Sequence, residues 1–459
     1  MQSRHPASSS ISMPLILLAA MMILLWVAGG ASREDALGQA IVRAGAWLVI
    51  AVAIVVGPKP VFRDLEPALL LLAVITAIPI IQLIPLPPAV WQALPGRDIL
   101  ILQGEAAPWR PITMTPGATR NALASLVVPA AMLLLLAQTS ERDRQWLAPG
   151  LLVVIASAVF LGLLQFSGFR FNNPLINDVP GSVSSIFANR NHFALIVAIG
   201  CLLAPIWAFG HREGLRWRGP IAGSLVLLFV LTTLAIGSRS GLLLTALALV
   251  IAAVAVRGRL KRRLSHAPRW LLMAIIGAGV ALVSGFIWAS FAADRVEAVD
   301  RLFAAAITDD LRTRAQPAIM AMIANYFPIG SGLGGFDPLF RMHEPDSLLA
   351  LQYLNQAHND FLGIALDAGL VGLLVLAGAV SWWGFATVRA WRAPSGPLSE
   401  LARLGSAILL LIMVASITDY PARTPFVMGI IMLSVVWLTA GIRKDSSGRS
   451  TLPAAQADL

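Results

Sequence analysis

The sequence predicts an all-α polytopic membrane protein, with about 12 transmembrane helices and one large loop on the outer side. Of its 459 residues, 57% are hydrophobic and only 13% are charged, against roughly a quarter charged in soluble domains. Mean hydropathy is +0.77. A chain of this composition cannot hide its apolar surface from water, so lipid must be its solvent. Runs of about 20 apolar residues recur along it, the length that crosses a hydrocarbon core of about 30 Å. The period-two alternation of a membrane β-barrel strand is not found.

Charge and cysteine usage narrow the function. The net charge of +10 is spread over short loops between apolar runs, where it sets topology rather than binding nucleic acid. Cys201 is the only cysteine, which excludes an intramolecular disulfide and any cysteine-based metal site. The six histidines are not closely paired, and no carboxylate cluster has ligand spacing. No metal and no other cofactor is expected.

The expected spans are 13–30, 37–56, 67–86, 119–137, 147–166, 189–209, 220–237, 241–256, 270–291, 368–388, 402–417 and 426–440. The first also fits a cleaved signal peptide, with Arg4 before an apolar core and AGGA after it. With the N-terminus in the cytoplasm, 19 of the 34 Lys and Arg residues fall in cytoplasmic segments, six of them between Arg257 and Arg269. The short outer loops hold far fewer, so both termini are expected on the cytoplasmic side.

Taken in order, the spans leave a few polar features to explain. Arg43 lies inside the second span, as a functional candidate or a structural contact. Segment 87–118 carries six prolines, with Trp91 and Trp109. Proline prevents a continuous helix and tryptophan favours the interface, so an outer loop along the membrane surface is expected. The next outer loop ends in SSIFANRNHFA, residues 184–194, which sets Arg190 at a helix start beside Asn189, Asn191 and His192. Free N–H groups and the dipole favour anions there. A phosphate site and an interfacial anchor both fit. GSRSG, residues 237–241, is a tight outer break between two spans, with Arg239 at its tip. Turn chemistry explains its glycines and serines but not the arginine.

Residues 292–357 form the one sizeable extramembrane piece. Its stretch 294–326 reads as an amphipathic helix bearing Arg312 and Arg314, with Pro317 interrupting the pattern. GSGLGGF, residues 330–336, follows; its N–H groups could cradle an anion, or it could be a flexible turn. His358, Asn359 and Asp360 then precede the next apolar run. Charge-derived topology puts Arg190, Arg239, Arg314 and His358 on one face, although they come from four separate stretches. Cations for a diphosphate and an imidazole that titrates near neutrality suit glycosyl transfer from a lipid diphosphate sugar. The last outer turn, TDYPARTPF at 418–426, holds Asp419, Tyr420 and Arg423 and is read as a wall or lid. The tail 441–459 is polar and expected to be disordered.

SRSG at 238–241, YFPIGSGLGGF at 326–336 and HNDFLGIALDAGLVGLL at 358–374 resemble the O-antigen ligase and polymerase superfamily, and FANRNHFA at 187–194 looks like that family's preceding segment. The likeness covers about 185–425, including the loop 292–357. Residues 1–180 match only as a pattern of spans. The resemblance implies an inner-membrane glycosyltransferase of GT-C type that uses a polyprenyl-diphosphate-linked glycan on the periplasmic side without a metal. It makes His358 the base and Arg190, Arg239 and Arg314 the diphosphate ligands, with Asn189, Asn359 and Asp360 in support. The acceptor would be lipid A core or a second lipid-linked glycan, for a ligase or a polymerase respectively. Asp367 stands where many members have glutamate, and ITDYPARTPF is more similar to members from exopolysaccharide clusters. The alternative function is a transporter or flippase of a lipid-linked saccharide, which would place broken helices at the midplane.

Overall fold

The computed structural model describes residues 11–63, 65–100, 108–169, 171, 173–176, 182–210, 215–264, 277, 298–349, 354–394 and 396–442. Among these the fold is helical, apart from one short antiparallel pairing of Pro85–Leu86 with Arg110–Pro111. The chain runs α1 (Met13–Ala28), α2 (Leu37–Val56), α3 (Glu66–Gln82), α4 (Pro88–Gln92), α5 (Pro116–Ser125), α6 (Val127–Gln138), α7 (Glu141–Phe166) and α8 (Arg190–Phe209). It continues with α9 (Leu215–Ile236), α10 (Arg239–Leu264), α11 (Ala298–Tyr326), α12 (Phe336–His343), α13 (Asp360–Arg392), α14 (Pro397–Thr418) and α15 (Pro425–Ile442).

Eight of the described helices are long and apolar enough to cross a membrane, counting α5 and α6 together, and α1, α3 and α15 are apolar but shorter. These coincide with eleven of the expected spans. The remaining one, 270–291, lies outside the described residues but for residue 277, and so does the tail from residue 443. The chain is therefore an all-α polytopic membrane protein.

Helix starts differ from expectation where polar side chains can cap. α7 begins at Glu141 because Ser140 and Asp143 form a reciprocal capping box, which the apolar run alone does not reveal. α13 begins at Asp360, eight residues before the expected span, because Asn359 caps it through the Leu362 amide. The motif 358–360 is thus a helix start rather than loop. Gly369 then breaks α13 with φ 56 and ψ −141, a conformation only glycine adopts without strain.

Contacts between helix ends sort the bundle into two ends. At one, Ser12 Oγ donates to Asp143 Oδ1 at 2.7 Å, joining the starts of α1 and α7. There too the Val61 amide bonds to Ala137 O at 2.8 Å and Gln138 Nε2 to Ala53 O at 2.9 Å. At the other end the amides of Ala188 and Phe426 bond to Gly30 O and Gly29 O. α1 therefore starts, and α15 finishes, at the end opposite the starts of α8 and α15.

Helix α8 is the centre of the bundle. Every residue from His192 to Ala204 is buried, as expected of a helix that is apolar all round. It packs against α7, α9, α10 and α14. A second, smaller core lies outside the bundle, where Trp91 and Met114 meet Ile319, Met322, Tyr326, Phe336 and Phe340. The proline-rich segment and the large loop therefore form one cap. Arg97 is buried at its centre and donates to Pro95 O, Ile112 O and Gly330 O. Arg43 donates to Asn121 Oδ1 and Gln39 Oε1 and ties α2 to α5.

Candidate active site

Four helix starts, those of α8, α10, α13 and α15, gather with the end of α14 at the capped end of the bundle. Side-chain caps define three of them. Asn189 accepts the Asn191 amide at α8, Ser238 accepts the Gly241 amide at α10, and Asn359 caps α13. Their remaining polar groups stitch the starts together. Ser238 Oγ donates to Asn191 Oδ1 at 2.8 Å, and Asn359 Nδ2 donates to Ile417 O at 2.9 Å. Four N-terminal dipole ends in one place make the region electropositive before any arginine is counted.

Asp419 is the hub. Its Oδ2 accepts the amides of Asn189 at 2.9 Å and Asn191 at 2.8 Å. Its Oδ1 accepts the Tyr420 backbone N–H at 3.0 Å and faces His358 Nδ1 at 3.4 Å and His192 Nε2 at 3.7 Å. Burial would raise this carboxyl, but the imidazoles of His192 and His358 beside it hold it well below the usual carboxylate range. Asp419 is thus a fixed anion surrounded by donors.

His358 sits against it under constraint. Its φ is +48, a conformation that costs a side-chain-bearing residue energy. The ring packs edge-on to Tyr420 with centroids 4.9 Å apart. Burial lowers its pKa; Asp419 opposes that shift, while Arg312 and His192 reinforce it. The imidazole is therefore neutral near pH 7. With Nδ1 turned to a carboxylate, that nitrogen carries the proton and Nε2 keeps the free lone pair a base requires. Tyr420 donates to Asn355 Oδ1, and burial with Asp419 pushes its hydroxyl up to about 12. It stays protonated. His192 is held through Nδ1 by the Thr424 hydroxyl at 3.0 Å.

The arginines divide. Arg190 and Arg239 are exposed at the starts of α8 and α10, each one residue from the Asn191–Ser238 contact. Both belong to the same bundle end as His358. Arg314 is exposed and donates to Ser347 O at 2.6 Å. Arg312 instead acts electrostatically on both His358 and Tyr420. Of these two loop arginines, Arg312 is half-buried and Arg314 exposed. Asn189, Asn359 and Asp360 are all present but serve the frame: Asp360 accepts from Ser416 Oγ at 2.9 Å and the Ala422 amide at 3.2 Å.

The glycine-rich loop does not offer its amides to a ligand. The N–H groups of residues 330 to 334 bond in turn to Tyr326 O, Leu366 O, Asp367 O, Gln82 Oε1 and Asp367 Oδ2. Gly332, with φ +107, allows the chain to turn against Thr113 where a Cβ would overlap that side chain. The loop fills the break in α13, supplying donors to carbonyls that the kink at Gly369 frees. Among the described residues no group of three or more His, Cys, Asp or Glu is arranged to hold a metal ion.

Residues 223–377 match the family model described as O-antigen ligase. The chain carries a domain of the O-antigen ligase and polymerase superfamily. No curated protein matches the chain. The matched residues include Arg239, Arg312, the glycine-rich loop and His358. Arg190 and Asp419 lie on either side of it and join it through the bundle end. Sequence reading missed Asp419 as the partner of His358 because a carboxylate in a proline-rich turn looks like turn chemistry. Its one available signal was burial between two apolar runs.

Proposed function

We propose that the protein is a membrane glycosyltransferase of the ligase or polymerase type. It moves a glycan from a polyprenyl diphosphate to an acceptor hydroxyl at the periplasmic face of the bacterial inner membrane. The observation that carries this reading is the His358 imidazole backed by Asp419, at the bundle end that bears Arg190 and Arg239. The bundle ends support an orientation in which both termini face the cytoplasm and the cap faces the periplasm. Twelve spans and a GT-C architecture belong to the same reading.

In this mechanism the acceptor hydroxyl attacks the anomeric carbon and His358 Nε2 takes its proton. General-base assistance of this kind contributes about 10²–10⁴ in rate. The bond from the anomeric carbon to the diphosphate oxygen breaks as the new glycosidic bond forms, which inverts the configuration. Charge then grows on the diphosphate, and Arg190, Arg239 and Arg312 meet it. Guanidinium forks match phosphate oxygens, and the helix starts beneath them add fixed positive potential. No metal is required, because preorganised cations do the work of stabilising the leaving group. We take Arg312 in preference to Arg314 as the third ligand, because Arg314 points to Ser347 O. Lipid A core or a second lipid-linked glycan is the acceptor.

The test uses purified full-length protein in detergent with a radiolabelled lipid-linked glycan. Acceptor labelling or chain extension by wild type, and its loss in His358→Ala that still inserts in the membrane, is the expected result. Normal turnover by that variant removes His358 from the base role. The same protein in proteoliposomes that moves donor between leaflets without chemistry would instead be a transporter. The filled break in α13 argues against that outcome, since its freed carbonyls already have protein donors.

A further inference from the structure

Arg423 lies outside the machinery described so far. Its Nη2 meets Asp367 Oδ2 at 3.1 Å and its Nε faces Asp360 Oδ1 at 3.6 Å. Both residues belong to α13, seven apart, so their Cα atoms lie on one face about 10 Å apart along the axis, and the carboxylates lean together onto the one guanidinium. Gly363 lies between them on that face, three residues after Asp360 and four before Asp367. A Cβ built there collides with Arg423 Nη2. The guanidinium occupies the space of the missing side chain.

The attachments of these groups give the contact its meaning. Asp360 follows the His358–Asn359 pair and also receives Ser416 Oγ and the Ala422 amide. Asp367 also receives the amide of Gly334 from the glycine-rich loop. Arg423 itself belongs to the turn that begins with Asp419. One side chain therefore connects the strand of chain holding the imidazole, the loop filling the break, and the turn holding the imidazole's carboxylate. Two buried carboxylates on one face would repel without it, and a buried charge left alone is costly.

We propose that Arg423, seated in the slot left by Gly363, is a positioning residue that holds the His358 segment and the Asp419 turn in register. This rests on the reading of His358 as base. The geometry makes a specific demand: a methyl group at residue 363 and loss of the guanidinium do the same damage by the same route. A misplacement of about 1 Å in a catalytic pair costs about 10²-fold in rate.

The experiment is a double-mutant cycle on full-length protein with labelled lipid-linked donor. Arg423→Ala and Gly363→Ala are each expected to lower kcat about 10²-fold while the donor KM moves much less. The double variant is expected to be no worse than Arg423→Ala, since the empty slot then accepts the methyl group. Arg423→Lys is expected to remain impaired, because one ammonium cannot face both carboxylates. Multiplying losses in the double variant, or normal turnover of Gly363→Ala, overturns the proposal. Thermal unfolding of the same four proteins reads the contact without catalysis. Non-additive melting shifts together with an active His358→Ala would sink the base assignment alone; additive shifts would sink the Arg423–Gly363 contact itself.

Discussion

Replacing Asp419 by asparagine changes one atom and tests the base assignment. The carboxylate receives two amide donors on Oδ2, at 2.9 and 2.8 Å, and the Tyr420 N–H on Oδ1 at 3.0 Å. An asparagine must keep its single oxygen toward the Asn189 and Asn191 amides, or both lose their acceptor. Its NH2 group then occupies the Oδ1 position and points at His358 Nδ1, 3.4 Å away in the wild type. Two donors cannot face each other, so the imidazole shifts its proton to Nε2 and loses the lone pair that accepts the substrate proton. A wrong tautomer of this kind costs about 10⁴ in kcat, or roughly 5 kcal/mol of transition-state stabilisation. The donor KM changes little, because the arginines proposed to hold the diphosphate are untouched. The assay is steady-state transfer from labelled donor across pH. In wild type the rate falls as pH drops through a His358 pKa below its ordinary value of about 6.5. Removing the Asp419 anion disfavours the imidazolium, so the residual activity of the variant loses its acid limb to still lower pH. Turnover within about threefold of wild type, with an unchanged pH profile, would refute the orienting role.

Three further outcomes are expected. Arg190→Lys and Arg239→Lys each lower kcat/KM by about tenfold or more, since an ammonium cannot make the two-pronged phosphate contact; normal values for both would make them anchors. Arg312→Ala is more damaging than Arg314→Ala in the same transfer assay, and the reverse order would return the third ligand to Arg314. Gly332→Ala lowers the melting temperature in detergent, because φ +107 strains a side chain by about 1–3 kcal/mol and the new methyl group overlaps Thr113; an unchanged melting temperature would make the loop a loose turn. Topology is tested separately with Trp109→Cys. Trp109 is exposed on the cap while the native Cys201 is buried, so an impermeant maleimide applied to spheroplasts should label the variant. Protection would invert the orientation.

Residue by residue, the division between what could be read and what could not has a physical basis. Hydropathy is a property of a segment, and bilayer thickness sets its length, so eleven of the described helices fall where apolar runs predicted them. The Lys and Arg bias is also local, and it put Arg190, Arg239 and His358 on one face before any contact was known. Asn359 and Ser238 looked like loop and turn residues; their capping roles appear only with the observed starts of α13 and α10 beside them. Arg312 and Arg314 were not separable, since two residues on a helix differ by about 200° and only packing decides which faces inward. The amides of the glycine-rich loop looked free in sequence; they are occupied because a distant helix breaks at Gly369 and needs donors. The pairing of His358 with Asp419, and of Arg423 with the slot at Gly363, depends on which helix ends meet. That choice is made by the packing of α8, α13 and α14, and no single segment contains it.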